Sequence, residues 1–271
     1  MNPDTVLKTI GLTTLAWVLL LLCGSAQAME KQPPTIAIII DDLGVDREAA
    51  QRLIDLESPV TLAFLPYRPH TRELANAASR HGKEVMLHAP MANMGQVALG
   101  PGGLSLEMSR EQIVQSLSES LKAVPHASGV NNHMGSLLTG QERPMRWVMD
   151  EIARHNLYFI DSRTTKATVA ATTAHARDIP TMSRDVFLDN ELSERSIHQQ
   201  FRRLLKEARE NGTAIGIGHP HEETIAYLEK ILPKLDEYGY AVATVSGLWA
   251  IRQDRQPIPG RTLVPLEASS R

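Results

Sequence analysis

The chain has 271 residues, 42% hydrophobic and 22% charged, with a formal net charge of −3, a composition that buries one substantial core and fits a single α/β domain. No basic stripe or arginine-rich run is present, so nucleic acid is excluded as a partner. Aromatic residues make up only 4% of the chain, too few for a platform that stacks long glycans or single strands.

Residues Ile10 to Leu22 are almost wholly apolar, with Lys8 before them and Ala26-Gln27-Ala28 after. This is the pattern of a secretory signal over residues 1–28, cleaved after Ala28, and it implies a periplasmic or secreted protein with no stable membrane span after cleavage. Asp4 offsets Lys8, which leaves an uncleaved anchor as the alternative. Cys23 is the single cysteine, so the mature chain carries none and needs no disulfide in a bacterial envelope compartment. Residues 29–35 read as a linker, 36–250 as the folded domain, and 251–271 as a tail without periodicity, expected to be disordered.

Ile36-Ala37-Ile38-Ile39-Ile40 is a strand buried on both faces, and it runs into Asp41 and Asp42. Asp46 to Leu56 reads as a helix, Val60 to Leu65 as a strand, and Thr71 to Arg80 as a helix closed by His81-Gly82. Glu84 to His88 is the third strand, and a long Gly-, Pro- and Met-rich loop over Ala89 to Leu106 follows it. Ser109 and Gln112 form a capping box before a helix with Ile113, Leu117 and Leu121 at helical spacing. Ser128 to His133 is a strand, Gln141 to His155 a helix, and Leu157 to Asp161 a strand. A helix is expected within Thr164 to Arg177 and a weaker strand over Thr181 to Asp189. The helix carrying Ile197, Phe201, Leu204 and Ala208 ends at Asn211-Gly212. Thr213 to His219 is a buried strand, then comes a helix bearing Ile225, Leu228 and Leu232, and Tyr240 to Val245 is the last strand. Repeated βα units with short connections imply a parallel sheet, open or closed as a barrel. There is no Gly-rich phosphate loop after the first strand, no G-x-S-x-G elbow and no nucleophilic cysteine.

Asp41, Asp42, His88, His133, Asp161 and His219 each fall at the end of a predicted strand, the rim where active sites of parallel barrels sit. Two carboxylates at a strand end also fit a turn and helix cap, and a single rim histidine often only caps a helix. It is the coincidence of several that points to a site. His70, His81, His126, His155, His175 and His198 lie in predicted helices or helix ends and are assigned surface or capping roles. Imidazoles plus one carboxylate make a three-ligand set that leaves a coordination position for water, as catalytic zinc sites do. A carboxylate beside such a metal can deprotonate water, and a separate histidine can protonate a leaving amine.

Ile39-Ile40-Asp41-Asp42 and Ala214-Ile215-Gly216-Ile217-Gly218-His219 resemble the first and last motifs of the polysaccharide deacetylases, specifically the divergent branch of bacterial envelope proteins. The resemblance covers roughly Ile36 to Val245. It implies a distorted (β/α) barrel of about seven parallel strands, with the first aspartate as base, the second as metal ligand, and the late histidine catalytic. One motif departs: the parent family has a second histidine shortly after the first, whereas this chain reads His88-Ala89-Pro90-Met91-Ala92. His133 is the best substitute. The resemblance therefore implies Asp42, His88 and His133 as ligands of a divalent metal, zinc by its donor set. Asp41 becomes the base and His219 the acid, with Asp161 orienting His219 or holding substrate through Arg163. Asn132 and His221 join Arg163 as substrate-binding candidates, and an alternative grouping places His219 and His221 on the metal. The implied activity is hydrolysis of an acyl group, N-acetyl, from an envelope carbohydrate. A barrel that binds a glycan or an envelope partner without turnover, and hydrolysis of another amide or ester, are the competing readings.

Overall fold

The computed structural model describes residues 32–255. Strand β1 (Thr35–Leu43) is its hub, and Ile36 through Ile40 are fully enclosed. It pairs in parallel with β2 (Thr61–Phe64), β8 (Thr213–Gly218) and the short β9 (Ala241–Ala243). The remaining strands are β3 (Glu84–Met91), β4 (Ala127–Met134), β5 (Tyr158–Asp161), β6 (Thr181–Ser183) and β7 (Val186–Phe187). Their order is β6-β5-β4-β3-β2-β1-β8-β7, with β9 beside β1.

The ends of that order explain how the sheet closes. β6 and β7 lie at opposite edges of the sheet, yet only Arg184 and Asp185 separate them in the chain. Arg184 N donates to Asp161 O at 3.0 Å on one edge, and Asp185 N donates to Ile215 O at 2.9 Å on the other. The sheet is therefore curled until its edges meet across two residues, which makes the expected distorted barrel. Nine strands are seen among the described residues rather than about seven. The run Thr181 to Asp189, expected as one strand, is split where it crosses from edge to edge, and β9 adds a short partner to β1.

Among the described residues eight α-helices surround the sheet: α1 (Arg47–Asp55), α2 (Thr71–Arg80), α3 (Arg110–Ala123), α4 (Glu142–Arg154), α5 (Ala170–His175), α6 (Glu194–Asn211), α7 (Glu222–Ile231) and α8 (Val245–Arg255). Local chemistry sets their ends. The Asp46 carboxylate accepts from Ala49 N, Ser109 and Gln112 complete the capping box, and Gly212 leaves α6 in the left-handed region at φ 82. The helix expected within Thr164 to Arg177 is confined to α5, because Thr164, Thr165 and Thr168 spend their hydroxyls on turns and loop contacts instead.

Two apolar layers result. Ile36, Ile38, Ile40, Leu62, Leu87, Val130 and Phe159 face the helices, while Ala37, Ile39, Ala63, Met86, Ile160, Ile215 and Ile217 fill the barrel interior. Val245 and Leu248 of α8 join the interior layer, and the Glu84 carboxylate accepts from the N–H groups of Val245 and Ser246 that open this helix. That anchorage carries regular structure to Arg255, five residues into the segment assigned to the tail. The rest of the tail, and the whole signal segment 1–28, lie outside the described residues. Among the described residues no helix is long and apolar enough to cross a membrane.

Candidate active site

Strand alternation selects the residues that meet above the barrel interior. In β1, Ala37 and Ile39 face inward, so Asp41 does too; in β3, Met86 is followed two residues later by His88; in β8, Ile215 and Ile217 lead to His219. Val130 of β4 faces the helices, which leaves Asn131 and His133 on the inner side. The register of β3 on β4 sets His88 beside Asn131. Asp42 breaks the alternation. The pairing of β1 with β2 is bulged between Ile40 and Leu43, and Asp42 takes φ 61, so two adjacent carboxylates reach the same space. A left-handed backbone is tolerated best by Asp and Asn among residues with a Cβ, and strain of this kind concentrates at functional sites.

Three donor atoms converge there from three strands. Asp42 Oδ1 lies 2.8 Å from His133 Nδ1 and 3.2 Å from His88 Nε2, and the two imidazole nitrogens are 3.1 Å apart. Neither approach to Asp42 Oδ1 has hydrogen-bond geometry, so this enclosed oxygen has no hydrogen bond among the described residues. A tetrahedral set at ordinary zinc–nitrogen distances has edges of about 3.3 Å, and these separations come close to it. The donor set fits a divalent metal. His88 Nδ1 donates to Asn131 Oδ1 at 2.7 Å, which fixes the ring with Nε2 toward the other two donor atoms. The Asn131 amide then donates to Asp41 Oδ1 at 2.7 Å, so one side chain orients both the His88 imidazole and the neighbouring carboxylate.

Burial raises the Asp41 carboxyl above its ordinary range, against the lowering pull of His88 and His219. Burial would raise Asp42 as well, but the His133 and His88 imidazoles beside it hold it well below the carboxylate range. His88 is opposed by burial and lifted by the Asp41 and Asp42 charges, ending at about 9. On the far side, His219 Nε2 stands 4.0 Å from Asp42 Oδ2, while its Nδ1 meets Asp189 Oδ1 at 3.0 Å. Burial lowers His219, but the Asp189 hydrogen bond and the Asp41 charge win and raise it.

Asp189 was not among the sequence candidates and takes the role expected of Asp161. Its second oxygen accepts from His219 N at 2.6 Å and from the Thr224 hydroxyl at 2.9 Å. The signal was available: Val186-Phe187-Leu188-Asp189 is an apolar run ending in a carboxylate. Asp161 follows inward-facing Ile160 and so points the other way, bonded to Arg163 N at 2.9 Å and Thr168 Oγ1 at 2.9 Å. It does not orient His219. Asn132, on the same outward parity, is 1% exposed, and its amide is spent on Met134 O and Ser162 N. That leaves it a scaffold residue rather than a substrate contact.

Arg163 and His221 are both exposed at the rim. Asp189, His219 and His221 are close enough to form a second donor group, but both oxygens of Asp189 are already bonded, whereas Asp42 Oδ1 has no hydrogen bond among the described residues. Of the histidines assigned to helices, His81, His126, His155 and His198 bond to Ala77 O, Asn76, Glu151 and Tyr227.

Residues 38–249 match the protein-family model described as divergent polysaccharide deacetylase. The chain is 38% identical over 200 residues to the uncharacterized protein YibQ of Escherichia coli (strain K12), a match covering 74% of this chain and 63% of that protein. It is 31% identical over 224 residues to an uncharacterized protein of Haemophilus influenzae (strain ATCC 51907 / DSM 11121 / KW20 / Rd), covering 83% and 80%. The crystal structure of uncharacterized protein ATU2773 from Agrobacterium tumefaciens C58 superposes with a TM-score of 0.77 at 27% identity, covering 81% of this chain and 90% of that one.

Proposed function

The chain belongs to the divergent polysaccharide deacetylase family, and from that premise we propose that it is a metal-dependent hydrolase removing an acyl group, N-acetyl, from a carbohydrate of the cell envelope. The observation that carries this reading is the convergence of Asp42, His88 and His133 beside a buried carboxylate, with the His219–Asp189 pair opposite. The apolar segment Ile10 to Leu22 with Ala26-Gln27-Ala28 supports an envelope location.

Asp42, His88 and His133 would hold the ion, zinc by the chemistry of two imidazoles and one carboxylate. Bound there, a divalent ion supplies Lewis-acid polarisation of the amide carbonyl and makes water more acidic. Asp41 accepts the proton of the attacking water; its raised pKa brings it nearer the working pH, where a general base is most effective. Asn131 fixes Asp41 by hydrogen bond. A C–O bond forms, the C–N bond breaks, and His219 delivers its proton to the departing amine while Asp189 steadies the imidazolium. Arg163 and His221, exposed at the rim, are placed to meet the sugar.

The test is elemental analysis of the purified full chain beside Asp42→Ala, followed by acetate release from a panel of N-acetylated oligosaccharides. About one ion per chain, lost in the variant, with acetate released by the parent alone, is the expected result. An ion held without release from any acylated glycan would favour a binding barrel, and no ion in either protein after reconstitution would overturn the metal centre.

A further inference from the structure

The rim carries a second feature, one loop away from the metal ligands. Tyr67, in the turn that leaves β2, is 45% exposed and held at φ 58. A tyrosine in the left-handed region is a costly conformation that its surroundings must impose. Arg68 follows it. The Arg68 Nε is enclosed and has no hydrogen-bond partner among the described residues, and no ion pair engages its guanidinium there. Gly100 leaves room for that guanidinium, since a Cβ on Gly100 would stand 2.8 Å from Arg68 Nη2. The turn is tied to the active site: Leu65 N donates to Leu43 O, His70 N donates to Gly44 O, and a Cβ on Gly44 would lie 3.2 Å from Arg68 Cβ.

Two hollows flank Tyr67 and share it and Glu119 as walls. One, of about 620 Å³, holds Arg68, Arg72 and Lys122 against the single carboxylate of Glu119. The other, of about 590 Å³, is lined along α3 by Gln112, Gln115 and Ser116. An exposed phenol ring offers a flat face to the C–H side of a sugar, amides and hydroxyls beside it serve sugar hydroxyls, and an unpaired guanidinium seeks an oxyanion. Three cations against one carboxylate give this hollow a positive charge.

We propose that Tyr67, Arg68 and the face of α3 from Gln112 to Lys122 form an outlying subsite for a negatively charged sugar unit of the substrate glycan, with Arg68 on its carboxylate and Tyr67 against its ring. This rests on the carbohydrate reading of the metal site. Tyr67 stacks the sugar without regard to its charge, whereas Arg68 supplies the preference for an acidic unit.

The experiment titrates the full chain with an N-acetylhexosamine–hexuronic acid disaccharide and with its carboxyl-reduced neutral counterpart, at low salt. The acidic disaccharide should bind at least tenfold more tightly than the neutral one. Arg68→Gln should bring the acidic sugar down to the affinity of the neutral one, and Tyr67→Gly, which suits the backbone conformation, should weaken both at least tenfold. Both variants should keep the parent's metal content. Asp42→Ala should keep the binding, so the subsite remains measurable even if the metal centre fails its own test. Equal affinity for the two sugars, or an Arg68→Gln variant that binds the acidic sugar like the parent, would overturn the proposal. So would inorganic phosphate displacing the acidic sugar while the neutral one binds nowhere, since that describes an anion hole only.

Discussion

At Asp42 a single left-handed residue turns a strand that would otherwise present one carboxylate into one that presents two. Removing either kind of participant should have separable consequences. His133→Ala leaves two protein ligands and should lower bound metal at least tenfold, whereas His219→Ala should retain the ion and lose turnover. Metal content and acetate release, measured on the same preparations, check both, and a His133→Ala variant with full metal would refute the ligand set. Asp189 acts through His219, so its effect should show in a pH profile. With its pKa raised, His219 stays protonated to higher pH, and activity falls as pH rises through that pKa. Asp189→Asn should move this alkaline limb to lower pH while leaving metal content unchanged, and an unmoved limb would assign Asp189 a structural role. Protons also compete with the ion. Without metal, His88 keeps its proton up to about 9 and must lose it before Nε2 can serve as a ligand. Metal affinity should therefore fall about tenfold per pH unit below that value. Titration calorimetry in buffers of different ionisation enthalpy reads the released proton, and a binding heat independent of buffer would contradict it.

Among the elements, β4 shows how a polar strand is made to fit. Its Ser128-Gly129-Val130-Asn131-Asn132-His133 sequence lacks the apolar run of its neighbours, yet it supplies an orienting amide and the His133 donor atom from one face. Gly129, on that same inner parity, makes room at the other end of the strand: a Cβ there would stand 2.1 Å from the Tyr158 ring. Gly129→Ala should lower stability by about 1–3 kcal/mol, the usual cost of overpacking a filled core, with metal content unchanged in urea-unfolding and elemental assays. A neutral result would mean that Tyr158 can move aside. The helix boundaries were readable in advance because their signals are local: Asp46 and Ser109 with Gln112 bond backbone groups within a few residues, and Gly212 takes the left-handed conformation that ends α6. The split of the run from Thr181 to Asp189 was not readable, because what breaks it is the edge of β5 on one side and of β8 on the other.

For the whole molecule, an ion on Asp42, His88 and His133 would tie β1, β3 and β4 together near the open end of the barrel. Free ion at a hundred times its Kd should stabilise the fold by about 2.7 kcal/mol, roughly 5–11 °C in Tm for a domain of this size. Asp42→Ala should show no such rise, and an equal rise in both proteins would place the ion elsewhere. The sequence by itself determined the order of strands and helices, the parallel α/β class, and the fact that Asp41, Asp42, His88, His133 and His219 stand at strand ends, because apolar runs, caps and chain punctuation are local. The tertiary structure alone decided which of those end residues face one another. Strands enclosed on both faces are apolar throughout, so nothing in β1, β5 or β8 marks inside from outside, and the phase of each strand is set only when the sheet closes. That phase sends Asp161 and Asn132 outward and Asn131 inward, and the packing of the segment after β7 against His219 brings in Asp189 in their place.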